Sequence, residues 1–395
     1  MFEQAITSTK IIKCERLSAA DLDKLIFYCG GEQAYPCIVL DSYLLPPIEK
    51  MLNELRKIRS FEVVNRVFPD PKVDDIMAMV DELQGKEEKE GKQGKLGKPV
   101  NMVIGIGGGS AMDSAKAVAA VLSNGGHLND YLGAEATRKL EKRDVKLILI
   151  PTTAGTGSEV TKVGVYTSRS GRKFTLGNPL MQADIAVLVT EYVLGLPPAI
   201  TAATAFDALS HALETLWNRN ATPLTDRAAI ESAVHILKWI ETAYDSSLAG
   251  ATAGRAEMLE GACMAGTAFT MTGTAAVHAL SFILSEEWHV PHGVACAFTM
   301  EDIFRLNISD EKTRQKLAQV AKALFGKDDV EALLDRIIAL KKKFGLPFTF
   351  KDLQIELDES RIGELFDKSL NDPKMKNNIV PVDKEIVYQL IKQKM

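Results

Sequence analysis

Histidine is rare in this chain of 395 residues, with six in all. Yet His278, His289 and His292 crowd into one helix-like run of small and apolar residues, TAAVHALSFILSEEWHVPHGVACA (274–297). Cysteine is rarer still. The five, Cys14, Cys29, Cys37, Cys263 and Cys296, are scattered, odd in number and without a C-x-x-C pair, which argues against a disulfide framework and against a thiolate zinc site. Excess positive charge is missing too. A net charge of −5 and a pI near 5.8 give no general electrostatic footing for nucleic acid. No apolar run reaches the roughly 18 residues that span a bilayer. The opening MFEQAITSTKII lacks a basic start, an apolar centre and a small-residue cleavage site, so a cytoplasmic protein with no membrane partner is expected.

What is present is an ordinary globular composition, 46% hydrophobic and 25% charged, in a chain longer than one core usually needs; two domains are expected. In the first half, short apolar runs (36–41, 61–68, 100–109, 145–153) read as strands and alternate with helical segments (46–58, 72–84, 111–123). That alternation predicts a parallel, helix-covered sheet. A stretch of lysine, glutamate and glycine, QGKEEKEGKQGKLGKP (84–99), interrupts it and reads as a mobile solvated loop. From about residue 190 the texture becomes long, alanine-rich and helically periodic, as in 197–217, 225–244 and 254–269. The expected layout is an α/β domain over 1–188 and an all-α domain over 189–395.

VIGIGGGSAMDSAKAVA places Gly107, Gly108 and Gly109 between an apolar strand and a helix. Lacking Cβ atoms, these residues let the backbone approach a ligand, and Ser110 is placed to cap the helix. The free N–H groups and dipole at a helix start suit a pyrophosphate, although the order is not G-x-G-x-x-G and a plain tight turn would read the same way. Asp113, just inside the helix, would support that helix start or bond a ligand hydroxyl. PTTAGTGSEVT offers Thr152, Thr153 and Thr156 at a strand's carboxyl end, where ligands settle in open parallel sheets. Asp41, ending CIVLD, would accept from an adenosine ribose and repel a 2′-phosphate, favouring NAD over NADP; taken singly it also reads as a turn residue.

In TAFDALSHALE, Asp207 and His211 are four apart and project from one helix face, a spacing shared by many surface pairs. His278 and His292 sit where an unpaired imidazole would be costly. One carboxylate and three imidazoles suit a divalent first-row metal such as Fe(II), Zn(II) or Mn(II), with positions left open for substrate. His127 and His235 lack such company, and His289 either faces the site or flanks it.

Taken together, IGGGSAMDSAKAVA, PTTAGTGSEVT, LPPAITAATAFDALSHALE and PHGVACA, in that order, resemble the iron-containing (group III) alcohol dehydrogenases over essentially the whole chain. The resemblance implies an N-terminal Rossmann-like dinucleotide-binding domain and a C-terminal helical metal-binding domain, the two-domain architecture of dehydroquinate synthases, with the metal in the cleft between them. It implies metal ligands at Asp207, His211, His278 and His292. It implies nucleotide contacts at Asp41, Gly108, Gly109, Ser110, Asp113, Thr152, Thr153 and Thr156, and places Lys173 near a lysine that reaches the ribose. NAD(H), a divalent metal, a small aldehyde or alcohol as substrate and a homodimer or higher homo-oligomer follow as expectations.

Chemically, the metal is expected to act as a Lewis acid on a carbonyl oxygen while the nicotinamide supplies hydride. Many members of the family carry a further histidine where this chain has Phe282, which removes one proton relay and sets a ring by the substrate space; His289 is the candidate substitute. WNRNATPLTD resembles the branch that reduces phosphonoacetaldehyde or sulfoacetaldehyde, and Arg219 and Lys162 are candidate partners for an anionic tail, as well as being ordinary solvated charges. A general short-chain primary alcohol or diol dehydrogenase stays open. So does a dehydroquinate synthase-like lyase, against which the Asp207–His211 pair argues, and a non-catalytic metal- or nucleotide-binding protein.

Overall fold

The computed structural model describes residues 8–41, 45–85, 99–133 and 136–395, so nearly all of the lysine- and glutamate-rich stretch at 84–99 lies outside the described residues. The chain divides into two compact units. Of the described residues, those between 8 and 153 and those at 158–194 make one, and those at 154–157 and from 195 onwards make the other.

The first unit is built on strands β1 (Lys10–Cys14), β2 (Pro36–Asp41), β3 (Glu62–Val67), β4 (Met102–Gly107), β5 (Lys146–Pro151) and β8 (Ile185–Val189). They form one sheet in the order β1-β8-β5-β4-β2-β3, with every pairing parallel. β6 (Val163–Thr167) and β7 (Lys173–Gly177) make a separate antiparallel pair. Helices α1 (Ala19–Gly30) and α2 (Pro46–Leu55) cover one face through Leu22, Ile26, Met51 and Leu52, which meet Ile38, Leu40 and Ile104. Helices α3 (Val73–Leu83) and α4 (Gly109–Asn124) cover the other, where Ile76, Met112 and Val118 meet Cys37, Val39 and Val103. Successive strand residues point to opposite faces, and both faces are covered. That is why PCIVL and MVIGI read as continuous apolar runs rather than as alternations.

From β2 the chain adds β3 on one side, then returns to add β4 on the other. Strand addition reverses at this point, and in open parallel sheets the carboxyl ends of such a pair form a crevice where ligands bind.

The second unit is helical: α5 (Pro198–Leu216), α6 (Pro223–Leu248), α7 (Arg255–Thr272), α8 (Ala276–Trp288), α9 (His292–Asn307), α10 (Glu311–Phe325), α11 (Val330–Lys343), α12 (Ile362–Leu370) and α13 (Lys384–Gln393). Helix α5 opens with a proline in its first turn, where the missing N–H costs no hydrogen bond. It packs on α6, α7 and α9, and its buried Ala202, Ala205, Ala208 and Ala212 allow that close approach. The histidine-rich run is two helices rather than one. His289 takes a left-handed conformation (φ 54°) that ends α8, and Pro291 caps the start of α9. Residues 154–157 belong with this unit because Gly157, at φ +58°, lies against α7. A Cβ there would meet the Gly266 Cα at 2.6 Å and the Ala262 carbonyl at 2.8 Å. Among the described residues no single helix is long and apolar enough to cross a membrane.

Candidate metal centre

At the sheet's switch point, Asp41 closes β2 and its Oδ2 accepts the Gly108 N–H at 3.0 Å. Gly107 ends β4 at φ +154°, where a Cβ would meet that same Oδ2 at 2.8 Å, so only glycine fits. The Thr152 N–H donates to the Gly107 carbonyl at 2.9 Å, and Thr153 lies against Gly108. Gly108, not Ser110, is the cap of α4; a glycine offers no capping side chain, and the Gly108 N–H itself goes to Asp41. Ser110 instead sits in the first turn. The helix start thus keeps the donors and the positive dipole end that an anion needs.

Asp113 also has partners within the protein. Its Oδ1 accepts from Ser158 Oγ at 2.7 Å and its Oδ2 from the Val165 N–H at 2.9 Å, while Lys116 Nζ lies 3.7 Å away. Lys116, fully buried, donates to Ser158 Oγ, Thr161 Oγ1 and the Val163 carbonyl. A buried ammonium needs a nearby carboxylate, and Asp113 supplies it. Burial still pushes Lys116 down to about 8, against the pull of Asp113 and Glu159. Lys173 is paired with Asp70 at 2.6 Å, so reaching a ribose would compete with that pair. Thr156 lies in the helical unit and Lys162 in the α/β unit.

In the helical unit, Asp207, His211 and Glu214 lie on one face of α5, spaced by one turn and then another, and all three are buried. His278 enters from the first turn of α8 and His292 from the start of α9. Asp207 Oδ1 is 3.5 Å from His278 Nε2, 3.5 Å from His292 Nε2 and 3.9 Å from His211 Nδ1. The His211 ring lies 4.5 Å from that of His278 and stacks on Phe269 at 4.1 Å. The four residues singled out in the sequence therefore meet. Cys296 Sγ joins them: with one donor atom each from Asp207, His278 and His292, it forms a set lying within 4.8 Å of one another.

Three atoms of this cluster are buried with no hydrogen-bond partner: Asp207 Oδ1, His211 Nδ1 and His278 Nε2. Each such orphan costs about 1–3 kcal/mol. Three lone pairs converging from a carboxylate and two imidazoles are what one divalent cation would satisfy, so the residues fit a metal. Burial alone would raise the Asp207 carboxyl, but His211, His292 and His278 together hold it well below the usual carboxylate range. Burial, with its two histidine neighbours, pushes His211 down to about 3, so its ring is neutral and its lone pair available.

Glu214 closes the run LPPAITAATAFDALSHALE but is given no role in the reading of the sequence. It is fully buried, and its Oε2 accepts from His278 Nδ1 at 2.6 Å, which turns the other ring nitrogen towards Asp207. Phe282 is buried beside His292, ring centroids 6.2 Å apart, and Lys374 Nζ lies 3.9 Å from the Phe282 centroid on its other contact. His289 is exposed at the end of α8, where its conformation terminates a helix. Arg219 is not free to receive an anion through its whole guanidinium. Its Nε donates to the Asn378 carbonyl at 2.8 Å and its Nη2 to the Ile379 carbonyl at 3.3 Å, fastening residues 377–379 to the end of α5.

Comparison with known proteins agrees with both halves. Residues 12–190 match the family described as iron-containing alcohol dehydrogenase, and residues 201–395 match the C-terminal domain of the Fe-containing alcohol dehydrogenase family. The 1-propanol dehydrogenase PduQ of Salmonella typhimurium is 29% identical over 372 residues, covering 90% of this chain and 92% of that protein. The sulfoacetaldehyde reductase of Bilophila wadsworthia is 34% identical over 261 residues, 65% of this chain and 64% of that protein. Among solved structures, the sulfoacetaldehyde reductase of Bifidobacterium kashiwanohense in complex with NAD+ superimposes with a TM-score of 0.86 at 26% identity, covering 100% of this chain and 99% of that one. With residues 12–190 and 201–395 matched by that family's two models, this chain belongs to the iron-containing alcohol dehydrogenase family.

Proposed function

We propose that this protein is a metal-dependent, NAD(H)-linked dehydrogenase that interconverts a short aldehyde and its primary alcohol. The observation that carries the reading is the convergence of unpartnered Asp207 Oδ1, His211 Nδ1 and His278 Nε2 in one buried cluster. A divalent metal there, Fe(II) foremost, supplies Lewis acidity towards a carbonyl oxygen, and the nicotinamide supplies the hydride. The chain's own residues do the positioning. Asp207 and His211 present their donors from one helix face, and Glu214 fixes the His278 ring. The Gly108–Ser110 helix start receives the pyrophosphate, and Asp41 stands where a 2′-phosphate would be repelled. Phe282 carries no proton, and with His289 at the exposed end of α8 the product oxygen takes its proton from solvent.

A second, narrower reading is that the aldehyde bears a sulfonate or phosphonate. Lys374 favours it: this ammonium lies on Phe282, which in turn flanks His292. The likeness to two sulfoacetaldehyde reductases supports it as well. Metal-loaded protein mixed with NADH and with propanal, sulfoacetaldehyde or phosphonoacetaldehyde tests both readings by the loss of NADH absorbance. Turnover of none of them would overturn the dehydrogenase reading, and a preference for propanal would remove the anionic tail.

A further inference from the structure

We propose that Cys296 is a fifth donor to the metal centre, binding through its thiolate beside Asp207, His211, His278 and His292. The proposal rests on the metal-dependent reading above and extends it, since the four ligands implied by resemblance contain no sulfur.

Helix α9 begins at His292, and Cys296 follows four residues later, so both side chains project from one face into the same cluster. The sulfur lies 3.8 Å from His292 Nε2. With one donor atom each of Asp207, His278 and His292 it forms a set whose members all lie within 4.8 Å of one another, and His211 Nδ1 stands 3.9 Å from Asp207 Oδ1. Two donors held at about 2.0–2.3 Å from one ion are at most roughly 4.6 Å apart, so a small drawing-in completes the set. The second, independent observation is the state of the neighbours: His278 Nε2 and Asp207 Oδ1, both buried, have no hydrogen-bond partner and face this same space.

A buried cysteine that only filled volume would lie against apolar groups. Cys296 instead directs its sulfur at His292 Nε2 and lies in one donor set with Asp207 and His278, each of which has a buried atom without a partner. As the ion enters, the His292 lone pair turns to it, the S–H bond breaks, the proton leaves to solvent and a sulfur–metal bond forms. No electron is transferred. A soft donor in an otherwise hard and borderline set biases the site towards Zn(II) and Co(II) and away from Mn(II).

Full-length protein stripped of metal and reloaded with Co(II) is expected to show thiolate-to-cobalt charge-transfer absorption in the near ultraviolet. Cys296→Ser, at equal cobalt content, is expected to lose that band. X-ray absorption of the Zn(II)-loaded protein should contain one sulfur scatterer at about 2.3 Å. The same substitution should weaken Zn(II) about tenfold or more and change Mn(II) affinity by less than about threefold. A Zn(II) spectrum fitted by nitrogen and oxygen alone overturns the proposal, and this wild-type measurement decides even where Cys296→Ser does not fold. Metal bound without sulfur removes only the role of Cys296. Failure of the wild-type protein to bind either ion removes the metal-dependent reading with it.

Discussion

Glu214 Oε2 and His278 Nδ1 share a hydrogen bond of 2.6 Å, and the same carboxylate accepts the backbone N–H groups of Ala275, Val277 and His278. One buried side chain thus satisfies the free donors at the start of α8 and fixes the tautomer of a metal-facing imidazole. Glu214→Gln keeps the shape but gives one end an N–H₂ that faces other donors. Metal affinity is expected to fall about ten- to a hundredfold. Competition with a chelator, read by metal analysis, checks this; an unchanged affinity would reduce Glu214 to a helix cap.

Removing the metal should abolish turnover and lower stability together. An ion bound there would satisfy three buried orphan atoms in the folded state only. At a free concentration of a hundred times its dissociation constant it contributes about 2.7 kcal/mol. Dialysis against chelator is expected to lower the Tm of the helical unit and stop NADH oxidation, and readdition of Fe(II) or Zn(II) should restore both. Full activity in metal-free protein would contradict the assignment.

Cofactor choice should follow Asp41. Its carboxylate accepts the Gly108 N–H at the turn where the nucleotide is expected, so a 2′-phosphate there meets a negative charge. Repulsion at about 4 Å amounts to roughly 1–4 kcal/mol between water and a protein surface. Asp41→Asn retains an acceptor for Gly108 while removing the charge. The NADH over NADPH preference in kcat/KM should therefore narrow by about tenfold or more. Equal use of both cofactors by the unmodified protein would sink the role given to Asp41.

How far the sequence discloses this molecule depends on the kind of signal. β2, β4 and β5 are legible because both sheet faces are covered, leaving uninterrupted apolar runs beside glycine-rich turns. β1 is not: KIIKC is an edge strand with only alternate residues partly buried. β8, β6 and β7 are five residues each, too short for periodicity to separate from neighbouring loops. In the site, Asp207, His211, His278 and His292 are legible because histidine is scarce and the Asp-x-x-x-His spacing is helical. Glu214 and Cys296 lie inside the runs LPPAITAATAFDALSHALE and PHGVACA but are not singled out there, although helix spacing places both on the faces already identified. The absence of any C-x-x-C pair argues against a thiolate zinc site, and the single sulfur proposed for the histidine site would leave no such pattern. Asp113 and Arg219, each open in the sequence to a ligand or to a structural part, have contacts within the protein that no spacing announces: Ser158 and Lys116 for Asp113, two carbonyls for Arg219.

Alkaline pH should expose the burial of Cys37. Burial, with Glu62 and Glu82 nearby, pushes this thiol from 9.0 up to about 12. The folded state therefore holds its proton to higher pH than the unfolded chain. The associated stability is complete below about pH 9 and is lost as pH rises towards about 12. Cys37→Ala removes the titrating group at the cost of a small, pH-independent cavity. Between about pH 8 and pH 10 the stability gap between the two proteins should shrink by about 1 kcal/mol in urea unfolding. A constant gap would mean that the thiol titrates normally.

Lys374 and Arg219 should separate cleanly when tested for the anionic tail. Lys374 Nζ lies 3.9 Å from the Phe282 centroid and 3.2 Å from an Asp372 carboxylate oxygen, so it is a partly buried cation beside the cluster with one acidic partner. A sulfonate or phosphonate reaching it would gain a charge-assisted contact of about 1.5–3 kcal/mol. Lys374→Met should then lower kcat/KM for sulfoacetaldehyde about ten- to a hundredfold and leave propanal nearly unchanged. Arg219 acts on structure: its Nε and Nη2 hold the carbonyls of Asn378 and Ile379, in the same connecting segment as Lys374. Arg219→Ala should loosen that segment, lowering Tm and reducing turnover of charged and neutral aldehydes alike. If Arg219→Ala instead discriminated against the anionic aldehyde and Lys374→Met did not, the two roles would be reversed. Equal effects of Lys374→Met on both substrates would assign Lys374 to packing on Phe282 and leave a neutral short aldehyde as the substrate.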